Sequence, residues 1–183
     1  MAFWIAAFIA GFALLLVCGK FLFPADRSRA GTLMKTYRHL TPQQLEGVAD
    51  EEVIEAVVSN MLAICEDRRC DPYALIPGLA RERSAVYTVW LLKKELNADP
   101  THLRRSEQFG FSELAADALE WLSFREEAAA LRDYLQTADE GKVAFLREAF
   151  ASGAIEKALI ALIRELPAVF CGEGTAQNPE LGD

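Results

Sequence analysis

The first nineteen residues, Met1 to Gly19, carry no charged side chain, and Lys20 closes the run. At about 1.5 Å of rise per residue this stretch would reach roughly 28 Å as a helix, close to the ~30 Å hydrocarbon core of a bilayer. It predicts a single transmembrane anchor over residues 1–23. No basic residue precedes Phe3 and no Ala-x-Ala-like cleavage site follows, which favours an uncleaved anchor over an exported domain with a cleaved leader. Valine before Cys18 is equally unlike a lipoprotein signal. Lys20, Arg27, Arg29, Lys35 and Arg38 all follow the span, so the positive-inside rule places the remainder in the cytoplasm. The expected location is the inner (cytoplasmic) membrane, single-pass, with a cytoplasmic soluble domain.

Charge divides the chain unevenly. Residues 1–47 hold five basic and two acidic side chains, and residues 48–183 hold 14 basic and 25 acidic. A domain that acidic repels nucleic acid and favours a protein partner with a basic surface. Residues 24–40, with Pro24, Gly31 and several basic side chains, read as a basic juxtamembrane linker. The Gly, Pro, Asn and acidic composition of 171–183 reads as a disordered tail.

Between them, residues 41–170 read as a soluble helical domain, a compact multi-helix bundle. Thr41-Pro42-Gln43-Gln44 carries an N-cap, a proline at the first helical position and a capping-box glutamine. Val53, Ile54, Val57, Val58, Met61 and Leu62 recur at helical spacing. From about Ala80 to Asn97 the apolar residues cover more than half the circumference, as expected of a central helix. Ser112, Ser123 with Glu126, and Thr137 with Glu140 are expected to open further helices. Gly153 is expected to interrupt the last helical stretch and Pro167 to end it. No segment alternates long enough for a strand, so the fold class is all-α.

Val86 to Asn97, then Phe109-Gly-Phe111, then Leu114-Ala-Ala-Asp-Ala-Leu-Glu-Trp-Leu122 together resemble an all-helical bacterial family of DNA-mimic proteins and uncharacterised relatives. Glu95 and Asn97 match that family's motif, while Ala98-Asp99-Pro100 stands in place of its Asn-Gly-Gly. The resemblance, confined to residues 81–135, implies a compact helical domain that binds a protein by presenting carboxylates.

Chemistry-bearing motifs are sparse. Cys65 and Cys70 resemble half a zinc site, but four ligands are needed and only Cys171 and two distant histidines remain, so no metal is expected. His39 and His102 lie in polar segments without a neighbouring nucleophile, and no glycine-rich phosphate loop is present; no catalytic residue, cofactor or small-molecule substrate is expected. Tyr87 and Trp90 read as core. Glu51, Glu52 and Glu55, with Glu113, Asp117 and Glu120, form the candidate acidic interaction face. The sequence therefore points to a membrane-anchored helical protein-interaction module. The alternative is a small hydrolase-like enzyme whose site is assembled from unrecognised residues; buried acids or a histidine in a deep polar pocket would favour it.

Overall fold

The computed structural model describes residues 24–70, 72–105 and 109–171. The bundle comprises α1 (Pro24–Thr36), α2 (Pro42–Gly47), α3 (Asp50–Arg68), α4 (Pro72–Leu75), α5 (Arg81–Ala98), α6 (Phe109–Trp121), α7 (Arg125–Thr137), α8 (Glu140–Ala151) and α9 (Ala154–Glu165). Short 3-10 turns at Ile76–Gly78, Pro100–Arg104 and Pro167–Phe170 join or finish these helices. The all-α expectation holds, and the membrane-spanning part of the fold expectation is corrected. Among the described residues no helix is long and apolar enough to cross a membrane. Residues 1–23, on which that expectation was built, lie outside the described residues, as does the expected tail from Gly172 onward.

The stretch read as a linker contains a helix. Pro24 begins α1, where its missing N–H costs nothing. Arg29 of α1 pairs with Glu55 of α3 at 2.9 Å, while Arg38, just past its end, pairs with Glu66 and Asp67. The pairings advance together along both chains, so α1 runs parallel to α3. Leu33 and Met34 are half-buried, and Leu40, beyond the helix, is buried in the core. Tertiary contacts hold this helix; local composition did not announce it.

α5 takes the central place its apolar circumference implies, packing against α3, α6 and α8. Val86, Val89, Leu92 and Leu96 are buried there, together with Arg83. Successive helices α5 to α8 each pack on the next. The core runs on to Phe170, fully buried after Pro167 has ended the last helix.

Helix ends divide into those fixed locally and those fixed from a distance. Thr41 Oγ1 accepts from the Gln44 N–H at 3.2 Å, and the Gln44 side chain accepts from the Thr41 N–H at 3.1 Å, completing the expected box. Thr41→Ala is expected to lower the thermal midpoint through a loss of about 1 kcal/mol; an unchanged melt would show that the cap contributes nothing. Gly153 turns the chain between α8 and α9 with φ at +75°, as expected of an interrupting glycine.

Three expected caps are corrected. Ser123 does not open α7: with φ of 74° it ends α6, where the N–H of Ser123 meets Glu120 O and that of Phe124 meets Leu119 O, a Schellman motif. Asp139, not Thr137, caps α8, its carboxylate accepting from the Gly141 N–H at 2.8 Å. Ser112 lies inside α6, and its buried hydroxyl donates to Leu103 O at 2.7 Å.

Other helix C-termini are closed by side chains from elsewhere in the chain. Arg147 of α8 donates twice to Leu96 O near the end of α5, and Arg104 donates to Leu135 O near the end of α7. Arg164 of α9 reaches Leu45 O and Val48 O at the end of α2. Asn60 donates from Nδ2 to Tyr37 O and Arg38 O, just past α1, at 2.9 and 3.0 Å. Each places a donor on carbonyls at or just past a helix C-terminus, where intrahelical donors run out.

Candidate docking groove

Trp90 sits one turn beyond the buried Tyr87 on α5, and the two rings stack with centroids 6.0 Å apart. Its own indole is half-buried, and the Lys94 ammonium lies 4.5 Å from its ring centroid. Cation–π contact of this kind orients both groups at a surface. The sequence reading placed Trp90 in the core. The structure packs it against the core and also leaves it lining three adjoining surface grooves.

The first groove, about 410 Å³, runs between α1, α3 and α5, with Leu33, Met34 and Leu62 beside the indole. The second, about 640 Å³, lies between α3, α5 and α9, where Ile54 and Ile160 supply apolar surface. The third continues along α5 past Leu91. Asp50, Glu51 and Glu55 of α3 line the second groove, together with Lys93 and Lys94 of α5 and Lys157 of α9. Much of this charge is already compensated: Glu55 meets Arg29, Asp50 meets Arg164 and Glu156 meets Lys93.

The six predicted carboxylates do not form one face. Glu51 and Glu55 line the Trp90 groove, and Glu52 is exposed beside them near the start of α3. Asp117 borders a different groove, formed by α6 with Ile76 and Leu79, where Trp121 lies under the Arg81 guanidinium at 4.9 Å and Leu114 is exposed. The two grooves share no lining residue. Glu120 and Asp117 both pair with Arg132 of α7 at 2.7 Å, and these bonds raise the pKa of that guanidinium. Glu113 is half-buried on the same helix. The α6 acids are thus largely a structural cluster, whereas Glu51 and Glu52 have no ion-pair partner among the described residues.

Among the described residues Cys65, Cys70 and Cys171 form no disulfide, and burial pushes the Cys171 thiol up. Among the described residues no group of His, Cys, Asp and Glu is placed to hold a metal ion. His102 lies between two carboxylates, its Nδ1 3.0 Å from Glu95 and its Nε2 3.1 Å from Asp99. Asp99 also accepts from the Thr101 hydroxyl and N–H, and these bonds hold its pKa below the usual carboxylate range. The cluster fastens the 3-10 turn to the end of α5.

Compared with family models, curated proteins and solved structures, the chain matches none.

Composition alone could not have marked Trp90, because apolar residues cover more than half the circumference of α5. The adjacent pair Lys93-Lys94 was the available signal, since two charges there mark where the buried face of α5 ends.

Proposed function

We propose that this chain is a protein-docking module whose working surface is the groove system around Trp90, bounded on one side by the acidic start of α3. One observation carries the reading: a half-buried indole is shared by three adjoining grooves with apolar floors and charged edges. Interfaces concentrate their binding energy in a few central aromatic anchors ringed by polar groups. The likeness of residues 81–135 to DNA-mimic proteins points to the same class of action, recognition through displayed carboxylates.

Trp90→Ala is expected to reduce partner capture at least tenfold in a crosslinked pull-down with the full chain, while Leu114→Ala, in the separate α6 groove, leaves it unchanged. Capture should also weaken as salt screens the α3 carboxylates. Equal capture by wild type and Trp90→Ala would refute the assignment of the groove.

A further inference from the structure

α3 ends in a Schellman turn that has a cysteine at each of its two closing positions. The N–H of Cys70 meets Cys65 O at 3.0 Å and that of Arg69 meets Glu66 O at 3.1 Å, with Arg69 left-handed at a φ of 51°. The first of these bonds holds the two cysteine Cα atoms within about 7 Å of each other, inside the range over which a disulfide can form. A turn of this kind also brings the side chains at those positions together, a contact usually made by two apolar groups. Here the two groups are thiols. Cys65 is buried and Cys70 half-buried, so the pair has an inner and an outer member.

We infer that Cys65 and Cys70 form a reversible disulfide, closed by exchange with a small-molecule disulfide of the glutathione type. The Cys70 thiolate attacks one sulfur of that molecule, forming a mixed disulfide and releasing one thiolate. The Cys65 thiolate then attacks Sγ of Cys70, forming the Cys65–Cys70 bond and releasing the second. The two protons given up by the protein thiols end on the two departing thiolates, and the small molecule gains the two electrons that the protein loses. Positive charge beside a thiol favours its thiolate, and the Arg83 guanidinium lies within electrostatic reach of the buried Cys65. The same turn carries Glu66 and Asp67, which hold Arg38 just past the end of α1. Closure fastens that seat covalently, whereas in the reduced chain backbone hydrogen bonds close the turn.

The test incubates the full chain with oxidised glutathione in native buffer, blocks remaining thiols by alkylation and digests with trypsin. Cleavage after Arg68 and Arg69 separates the two cysteines. Closure therefore appears as the peptide from His39 to Arg68 joined to the peptide from Cys70 to Arg81, and a reductant divides them. Cys65→Ser is expected to stop at a glutathione adduct on Cys70, while Cys70→Ser leaves the buried Cys65 unmodified. Cys171→Ser is expected to behave as wild type. Closure is expected to be at least about tenfold more favourable in native buffer than in concentrated urea, because the folded turn presents the pair in advance. In the oxidised chain the Cys70 amide is expected to exchange at least about tenfold more slowly than in the reduced chain.

A bond from either cysteine to Cys18 or Cys171 in place of the expected one overturns the proposal, as does a wild-type chain that stays at the glutathione adduct with no joined peptides. Closure no more favourable in native buffer than in urea overturns it as well. That comparison needs no variant, so it decides the matter even where Cys65→Ser fails to fold. Amide exchange at Cys70 that is indifferent to oxidation overturns the fastening of the turn.

Discussion

Asn60→Ala is expected to lower the free energy of unfolding by about 2–3 kcal/mol, because it removes three hydrogen bonds, one of them from a buried guanidinium. Asn60 is 1% exposed and joins three parts of the chain. Its amide donates to Tyr37 O and Arg38 O, and its carbonyl accepts from Nη2 of Arg83. Burial lowers the pKa of that guanidinium to about 10, still well above neutrality, so α5 carries a cation through the core. Alanine removes all three bonds together. Asn60→Asp separates the contributions: it keeps an acceptor for Arg83 but turns a carboxylate oxygen toward two carbonyl oxygens. A loss comparable to that of alanine at neutral pH is expected. Urea unfolding measures both, and a change below about 1 kcal/mol for alanine would mean that neighbouring groups or water replace the network.

Arg164→Ala is expected to cost about 2–3 kcal/mol and to release α2 ahead of the rest of the bundle. The guanidinium donates at 2.6 Å to Leu45 O and also to Val48 O, and it pairs with Asp50 at 2.7 Å. Asp50 is 65% exposed, so that ion pair contributes at most about 1 kcal/mol. The carbonyl bonds carry the remainder, being charge-assisted and directed at a helix end. Two controls follow: Asp50→Ala should cost less than half as much, and Arg164→Lys should recover only a minor part, because one ammonium cannot fork to the same acceptors. Amide exchange in α2 that speeds no more than exchange in α7 would contradict the local part of this expectation.

What the sequence disclosed depended on how far away the deciding partner lay. The Thr41–Gln44 box was legible because every atom in it falls within four residues. Gly153 and the broad apolar face of α5, over more than half its circumference, are equally local properties. Ser123 shows the limit of such reading: Ser-x-x-Glu is present, yet the same residue better satisfies the carbonyls of the helix before it. α1 was illegible, since the groups that secure it, Glu55 and Asn60, lie 22–26 residues further on. The candidate site was half legible. The carboxylates at Glu51, Glu52, Glu55, Glu113, Asp117 and Glu120 are evident as residue types, but their engagement by Arg29 and Arg132 is a tertiary fact.

The reach of Arg164 bears on the order in which this protein assembles during synthesis. Its bonds to Leu45 and Val48 span 119 and 116 residues, whereas α5 to α8 each find a neighbour next in the chain. Contacts of long sequence separation form late, because the loop they close must first be gathered. The α5–α8 unit is joined by contacts between neighbours in sequence, whereas α2 is fastened only once α9 is in place. A chain stalled before Arg164 would therefore expose its N-terminal helices to chaperones and proteases, although every helix preceding the stall had already been made.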